Sequence, residues 1–191
     1  RPAMGKTTLA MNFGLNVALQ GNAGVAVFSL EMPKEQLALR MLSSEAKVDM
    51  ARLRTANIAE QEYRGLAKAL GRLSEAPIFI DDTPGISPMQ VRAKCRRLMM
   101  EHDIKVIIID YLQLMRIGRK RIESRFQEVS EIVREVKALA KELQLTVIAL
   151  SQLSRDVEKR GTDALPKLSD LRESGEIEQT ADIVMFIHRE D

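Results

Sequence analysis

The chain alternates between short runs of apolar residues and longer segments in which apolar residues recur every three or four positions. The short runs predict five strands, at residues 25–28, 78–80, 106–110, 146–150 and 183–187, of which 25–28 and 146–150 are expected to be buried. The run at 106–110 is apolar up to its last residue, which predicts a central parallel strand. Strands that alternate with helices in this way indicate an α/β domain, whose mainly parallel sheet is covered by helices on both faces.

The periodic segments predict helices at residues 6–21, 33–46, 59–74, 88–101, 126–143 and 171–179, with a helical turn at 49–55. Gly21 and Asn22 end the first helix, and Ser87 with Pro88 supplies an N-cap and a first helical position. Each long helix is expected to bury one stripe. The stripes contain Leu9, Ala10, Phe13, Val17 and Ala18 in 6–21; Tyr63, Leu66, Leu70 and Leu73 in 59–74; and Phe126, Val129, Ile132, Val133, Val136, Leu139, Ala140 and Leu143 in 126–143.

Length and composition favour one globular domain, residues 1–191, that is long enough to bury a sizeable core. Hydrophobic residues make up 45% of the chain and charged residues 29%, which is typical of soluble proteins. No apolar run approaches the roughly 18 residues of a membrane span, and no signal peptide is recognisable. We therefore expect a cytoplasmic protein without a membrane partner. The single cysteine, Cys95, excludes an internal disulfide and lies on an apolar stripe, which predicts a buried, inert thiol.

Charge and aromatic content limit how such a chain could bind nucleic acid. The formal net charge is +2, too small to indicate a nucleic-acid binder from bulk electrostatics. Aromatic residues make up 4% and tryptophan is absent from the sequence, which disfavours a surface that stacks bases. Any nucleic acid would therefore be held mainly by its phosphates.

Gly5, Lys6 and Thr7 form the end of the phosphate-binding pattern G-x-x-x-x-G-K-[ST]. In that pattern backbone N–H groups cradle phosphate oxygens, the lysine contacts the β- and γ-phosphates, and the threonine hydroxyl ligates Mg²⁺. The expected nucleotide-binding residues are Met4, Gly5, Lys6, Thr7 and Thr8. An ordinary glycine before a helix is the alternative interpretation. The first glycine of the pattern would stand immediately before Arg1, so we expect the chain to begin inside its own motif.

Three polar residues follow the carboxyl ends of predicted strands, where ligands bind in parallel sheets. Asp110 ends the central strand and is the candidate Mg²⁺ ligand, with capping of the next turn as its alternative role. Because Tyr111 follows, the base that polarises an attacking water must come from elsewhere. Glu31 is the candidate, and an exposed loop residue is the alternative. Gln152 is placed to report whether the γ-phosphate is present.

Five segments, which appear in order and cover nearly the whole chain, resemble the successive motifs of the bacterial replicative DNA helicases, the DnaB family. They are Gly5-Lys6-Thr7-Thr8, Phe28-Ser29-Leu30-Glu31-Met32, Ile109-Asp110-Tyr111-Leu112-Gln113-Leu114-Met115, Ser151-Gln152-Leu153-Ser154-Arg155 and Asp170-Leu171-Arg172-Glu173-Ser174-Gly175. The resemblance implies a RecA-like P-loop NTPase fold and a hexameric ring. It also implies movement 5′→3′ on single-stranded DNA, driven by ATP with Mg²⁺, with primase and a helicase loader as partners.

The same resemblance assigns roles at the nucleotide. Lys6 and Thr7 would hold phosphate and Mg²⁺, with Asp110 as the acid on the metal side. Glu31 would be the catalytic base, and Gln152 would couple to the γ-phosphate.

A second set of residues is implied to meet DNA. The segment with Arg172, Glu173 and Gly175 is similar to the pore loop that grips the DNA backbone, and a pairing of Arg172 with Glu173 inside the domain is the alternative. A basic segment either faces the same pore or is a solvated loop. It contains Arg116, Arg119, Lys120, Arg121 and Arg125.

The sequence departs from the family at both ends. By this resemblance, we expect the family's primase-interacting N-terminal domain and the strand before the phosphate loop to be missing, and its arginine finger to lie beyond Asp191, so that Arg189 would not be that residue. We therefore expect a motor domain truncated at both ends that hydrolyses ATP weakly or not at all. Two other functions stay open: a RecA-like recombinase or repair ATPase that forms filaments, and a nucleotide switch that does not couple to DNA.

Overall fold

The computed structural model describes residues 4–118, 124–154 and 165–188, with the backbone alone at residues 172–174. Its sheet consists of β1 (Gly24–Ser29), β2 (Ile78–Asp81), β3 (Ile104–Asp110) and β4 (Thr146–Ala149). Their spatial order is β2-β1-β3-β4, and every neighbouring pair is parallel. This arrangement confirms the α/β class and the interior position of β3.

The first six helices lie within one residue of their predicted ranges, whereas the last, predicted at 171–179, begins only at Gly175 because Leu168–Ser174 is a 3₁₀ helix. They are α1 (Lys6–Gly21), α2 (Lys34–Ala46), α3 (Met50–Arg54), α4 (Glu60–Glu75), α5 (Pro88–Glu101), α6 (Arg125–Leu143) and α7 (Gly175–Thr180). Ser87 caps α5 by accepting a hydrogen bond from the Gln90 N–H at 3.3 Å, and Asn22 ends α1 in the left-handed conformation at φ 48°. Among the described helices none is both long and apolar enough to cross a membrane.

The two faces of the sheet carry separate hydrophobic clusters, because successive side chains of a strand point to opposite faces. The first cluster lies under α5 and α6 and includes Ala26, Phe28, Val91, Cys95, Ile107, Ile109, Ile132 and Leu139. The second lies under α1 and α2 and includes Ala10, Leu15, Val25, Val27, Leu37 and Ile108. Helices therefore cover both faces of the sheet, as the sequence predicts.

Cys95 lies inside the first cluster and is fully buried. Burial in this apolar environment raises the pKa of its thiol to about 12. Both properties agree with the predicted inert thiol, since the thiolate is the reactive form of cysteine.

The predicted stripes of three helices are partly wrong. Leu9 and Phe13 of α1 are exposed, because α1 packs against the sheet through the face that contains Gly14. The approach is close there: a Cβ added at Gly14 would lie 2.9 Å from Cδ1 of Ile108. The residues that α1 does bury are Ala10, Met11, Gly14, Leu15 and Ala18.

The stripes of α4 and α6 differ from the prediction for a related reason. Tyr63 and Leu70 are exposed on α4, which packs against α2 and buries Ala69. Phe126, the second residue of α6, is also exposed, whereas most of its predicted stripe lies in the first cluster. Helical spacing identifies an apolar face, but the neighbouring elements decide how much of that face is covered.

Two strand predictions also need correction. Residues 183–187 are not a strand, and Ile183 and Met185 are exposed, because none of the described strands pairs with them. β4 is present but is not fully buried: it pairs with β3 alone among the described strands, and Thr146 and Ala149 are exposed. An edge strand lacks the second neighbour that buries a central strand.

Candidate functional site

The phosphate-loop residues lie where α1 begins. Gly5 precedes the helix with φ 93°, a left-handed conformation that favours glycine, and its carbonyl accepts a 2.9 Å hydrogen bond from the Leu9 N–H. The first turn of α1 has no acidic side chain. The positive end of the helix therefore suits an anion. Met4 and Thr8 flank this turn, with Thr8 exposed.

Lys6 and Thr7 both reach Asp110, the last residue of β3. The Thr7 hydroxyl donates a hydrogen bond to Asp110 Oδ2 at 2.5 Å, and Lys6 Nζ lies 3.4 Å from Asp110 Oδ1. Asp110 is buried, and its Oδ1 accepts no hydrogen bond within the described residues. The structure thus brings together three residues that the sequence assigns to phosphate and metal.

This arrangement fits Mg²⁺. The cation prefers oxygen ligands and is commonly held by one or two carboxylates together with nucleotide phosphates. Asp110 offers a buried carboxylate oxygen without a hydrogen bond, and the Thr7 hydroxyl lies beside it. In the part of the chain that the structure describes, no group of three or more His, Cys, Asp or Glu side chains is placed to hold a metal.

Glu31 lies in a turn that is tied to Asp110. Ser29 and Asp110 are register partners at the carboxyl ends of β1 and β3, and the Leu30 N–H donates to the Asp110 carbonyl at 2.7 Å. The buried Ser29 hydroxyl donates to the Met32 carbonyl at 2.7 Å. These two bonds fix the backbone on either side of Glu31, whose side chain is exposed at the edge of the sheet.

Tyr111 is a residue of this site to which the sequence analysis gave no role. Lys6 Nζ lies 4.1 Å from the centre of its ring, within the range of a cation–π contact. Burial raises the pKa of the Tyr111 hydroxyl, and the negative charges of Glu31 and Asp110 raise it further. The sequence signal for Tyr111 is its position directly after Asp110, inside the motif at residues 109–115.

Gln152 follows β4 at the same edge of the sheet, and its side chain is exposed. Its backbone N–H donates to Gln113 Oε1 at 3.4 Å, and Gln113 Nε2 donates to the Ser151 hydroxyl at 2.8 Å. Gln113 was also missed as a site residue. Its signal in the sequence is a polar side chain between Leu112 and Leu114.

The segment assigned to DNA is attached to the same edge. Arg172 and Glu173 belong to the 3₁₀ segment Leu168–Ser174, and their side chains lie outside the described part of the structure. The Ser154 N–H donates to the Asp170 carbonyl at 3.0 Å, which ties this segment to the chain after β4. Gly175 has φ −53°, and an added Cβ would meet nothing within 4 Å, so its backbone is open to approach but does not require glycine.

The basic segment is described only at its two ends, Arg116 to Gly118 and from Ser124 onward. Arg119, Lys120 and Arg121 lie outside the described residues. Arg116 and Arg125 both pair with Glu128 of α6. At these two ends of the segment, the arginines therefore form ion pairs within the domain.

The fold and this site define the class of the protein, since a phosphate loop on a parallel α/β sheet, with an acid at the end of a neighbouring strand, is the arrangement of RecA-like ATPase domains. The chain belongs to the family described as the DnaB-like helicase C terminal domain, which it matches over residues 1–191.

Similar proteins agree with this assignment. The chain is 53% identical over 191 residues to the replicative DNA helicase DnaC of Bacillus subtilis and 52% identical to the replicative DNA helicase DnaB of Geobacillus stearothermophilus. It aligns over its full length but spans 42% of the length of each relative.

Two solved structures share its fold. One, described as an ATPase domain, is similar with a TM-score of 0.92 at 38% identity, over 99% of this chain and 67% of that chain. The structure of a DnaB-like replicative helicase, described together with its interactions with primase, gives 0.89 at 38% identity, over 95% of this chain and 44% of that chain.

Proposed function

We propose that this chain is the motor domain of an ATP-dependent replicative DNA helicase, which moves 5′→3′ on single-stranded DNA and unwinds duplex at the replication fork. The observation that carries the proposal is the convergence of Lys6 and Thr7 on Asp110, beside the Glu31 turn. Family membership over the whole chain supports it.

In this proposal the phosphate loop binds the triphosphate of ATP. The backbone from Met4 to Thr8 and the positive end of α1 would surround the phosphate oxygens, and Lys6 would bind the β- and γ-phosphates. Lys6 already faces Asp110 and Tyr111, so phosphate would share or replace these contacts. Thr7 and Asp110 would hold Mg²⁺, which when bound neutralises charge on the phosphates.

Glu31 and Gln152 would act at the γ-phosphate. The hydrogen bonds on either side of Glu31 hold its backbone at the edge of the sheet, and from there its exposed carboxylate would accept a proton from an attacking water. Gln152 stands at the end of β4, beside β3, and would sense whether the γ-phosphate is present. Glu31 would thus transfer the proton, and Gln152 would couple the state of the γ-phosphate to the rest of the domain.

Arg172, Glu173 and Gly175 would hold the DNA backbone. Their segment is joined through Asp170 to the chain that follows Gln152, so DNA and nucleotide would act on one continuous edge of the domain. We further propose that the intact protein is a cytoplasmic homohexamer, with primase and a helicase loader as partners. The similar replicative helicase whose structure is described with its interactions with primase supports the primase partner.

The proposal is tested with the intact protein that carries this domain. ATP hydrolysis is measured with and without single-stranded DNA, and unwinding is measured on forked duplexes with a 5′ or a 3′ tail. We expect rings in electron micrographs, DNA-stimulated hydrolysis and unwinding that requires the 5′ tail, and Lys6→Ala should abolish the hydrolysis and the unwinding. Filaments would support a recombinase instead, and hydrolysis indifferent to DNA would support a nucleotide switch.

A further inference from the structure

Gln113 uses both ends of its side-chain amide on the segment that contains Gln152. Its Nε2 donates to the Ser151 hydroxyl at 2.8 Å, and its Oε1 accepts from the Gln152 N–H at 3.4 Å. Gln113 lies in the 3₁₀ turn Leu112–Leu114, two residues after Tyr111. The amide therefore bridges the chain that leaves β3 and the chain that leaves β4.

The backbone of Gln113 is held from the other side by Arg125. The Arg125 guanidinium donates to the carbonyl of Gln113 and, at 3.2 Å, to the carbonyl of Met115. Carbonyls that accept from a cationic guanidinium make charge-assisted bonds, which are stronger than neutral ones. The position of Gln113 thus depends on where Arg125 is held.

Glu128 pairs with Arg125 and also contacts the other described end of the basic segment. Its carboxylate pairs with Arg125, accepts a 3.2 Å hydrogen bond from the Ile117 N–H, and lies 3.5 Å from a guanidinium nitrogen of Arg116. Burial acts to raise the pKa of Glu128, but the bonds from Arg125 and Ile117 and the charges of both arginines hold it below its ordinary value. Glu128 therefore stays ionised at neutral pH, and it ties together both ends of the basic segment.

We propose that Gln113 is a positioning residue that sets the backbone of Ser151 and Gln152, and that the Arg125–Glu128 pair acts on Gln152 through the carbonyl of Gln113. The described ends of the basic segment, which meet at Glu128, are thereby linked to Gln152. The link runs from Glu128 to Arg125, from Arg125 to the carbonyl of Gln113, and from the Gln113 side chain to the Gln152 N–H. A displacement of the segment's described ends, Arg116 and Arg125, on binding DNA phosphates would move Gln152. This inference rests on the proposed function, because it needs Gln152 at the γ-phosphate.

The first test replaces Gln113 in the intact protein with methionine, which has a similar shape but no amide. DNA-stimulated kcat should fall about tenfold, the rate equivalent of one or two lost hydrogen bonds. The KM for ATP should stay within about twofold, because the described hydrogen bonds of Gln113 reach Ser151, Gln152 and Arg125 and not the phosphate loop. Gln113→Glu keeps an acceptor for the Gln152 N–H and lets the Ser151 hydroxyl donate, so it should recover part of the loss.

A double-variant cycle separates positioning from general destabilisation. If Gln113 acts through Gln152, adding Gln113→Met to Gln152→Ala should lower the rate no further, since coupled residues are non-additive. Additive losses would overturn the inference, because they would mean that Gln113 supports the fold independently of Gln152.

The second test concerns Glu128, with Glu142 as the matched control on the same helix. Glu142 pairs with Arg92 and Arg96 at the far end of α6. Glu128→Gln should reduce DNA stimulation about two- to fivefold, because the bonds to Arg125 lose their charge assistance, and should leave hydrolysis without DNA unchanged. Glu142→Gln should alter neither rate, and equal effects of the two variants would contradict the proposed path.

The outcomes for wild-type protein distinguish the two proposals. Hydrolysis that DNA does not stimulate would overturn the proposed function and this inference with it. Normal stimulation in wild type, together with a normal rate in Gln113→Met, would overturn the inference alone.

Discussion

The hydroxyl of Thr7 donates a 2.5 Å hydrogen bond to the carboxylate of Asp110, across 103 positions of the sequence. The bond joins the first turn of α1 to the last residue of β3, which is an interior strand. It brings two motifs that are far apart in the chain into one site.

Removal of the Thr7 hydroxyl should weaken the binding of Mg²⁺. Thr7→Val removes both a proposed metal ligand and the hydrogen bond to Asp110, and loss of a hydrogen bond that orients a metal ligand commonly costs about 10- to 100-fold in metal affinity by itself. A titration of nucleotide binding against Mg²⁺ should therefore shift to higher concentration. Thr7→Ser keeps the hydroxyl and is the control. If Thr7→Val does not shift the titration curve, Thr7 is not a ligand of the metal.

Substitutions at Lys6 and at Glu31 should have different effects, the first on nucleotide binding and the second on the rate of hydrolysis. Lys6 is proposed to contact phosphate throughout the reaction, whereas Glu31 acts on water only as the reaction proceeds. Lys6→Ala should weaken ATP binding in the intact protein. Glu31→Gln should leave binding intact and lower kcat by roughly 10²–10⁴-fold, the usual contribution of a general base. Near wild-type turnover by Glu31→Gln would exclude Glu31 as the base.

Arg172 should bind DNA phosphate without reading the bases. Arg172→Ala in the intact protein should weaken the binding of mixed-sequence and homopolymer single strands about equally. Each phosphate that is no longer neutralised should also flatten the salt dependence, by up to ~0.7 in the log–log slope. ATP binding without DNA is the internal control and should not change. If DNA binding weakens for one sequence only, or if the slope of the salt dependence is unchanged, Arg172 has a role within the domain instead.

Cys95 should resist thiol reagents until the protein unfolds. Its folded pKa is about 12 against an ordinary value of 9.0. The thiolate fraction near neutral pH is therefore about 10³-fold lower in the folded protein. Labelling at about pH 8, below the ordinary pKa of a thiol, should be slow in the native protein and fast in denaturant. Rapid labelling of the native protein would contradict the buried position.

The same shift fixes the sign of a pH effect on stability. The unfolded chain loses the Cys95 proton near pH 9.0, while the folded chain keeps it to about 12. The stabilisation is therefore complete below pH 9.0 and is lost as the pH rises toward about 12. Cys95→Ala should remove this part of the alkaline dependence of the unfolding free energy.

Two glycine-to-alanine substitutions should change stability in opposite directions. A Cβ at Gly24 would lie 2.9 Å from the Asp103 carbonyl oxygen and 3.0 Å from the Ile104 Cα, so Gly24→Ala should destabilise the domain by about 1–3 kcal/mol. A Cβ at Gly71, inside α4, would meet nothing within 4 Å. Gly71→Ala should stabilise by up to about 1 kcal/mol through helix propensity. Thermal unfolding of both variants measures the difference, and equal melting temperatures would contradict it.

The sequence by itself determined the order and type of most elements, and with them the edge of the sheet where the site lies. A strand that is buried on both faces has to be apolar throughout, so β1 and β3 are visible as short apolar runs that end at Ser29 and Asp110. Ser87 and Asn22 mark helix ends because capping depends on neighbouring residues only. Parallel strands then place Glu31, Asp110 and Gln152 at one edge, whatever the details of packing.

Only the tertiary structure decided which side chains meet and which surfaces are covered. The bonds from Gln113 to Ser151 and Gln152, and the contact of Lys6 with Tyr111, join residues whose spacing along the chain carries no periodic signal. Exposure of Phe13 and Leu70 likewise depends on neighbouring elements: α1 approaches the sheet through Gly14, and α4 packs on α2. Local periodicity reports what one element could bury. The contacts between elements decide what it does bury, because each surface needs a partner of matching shape.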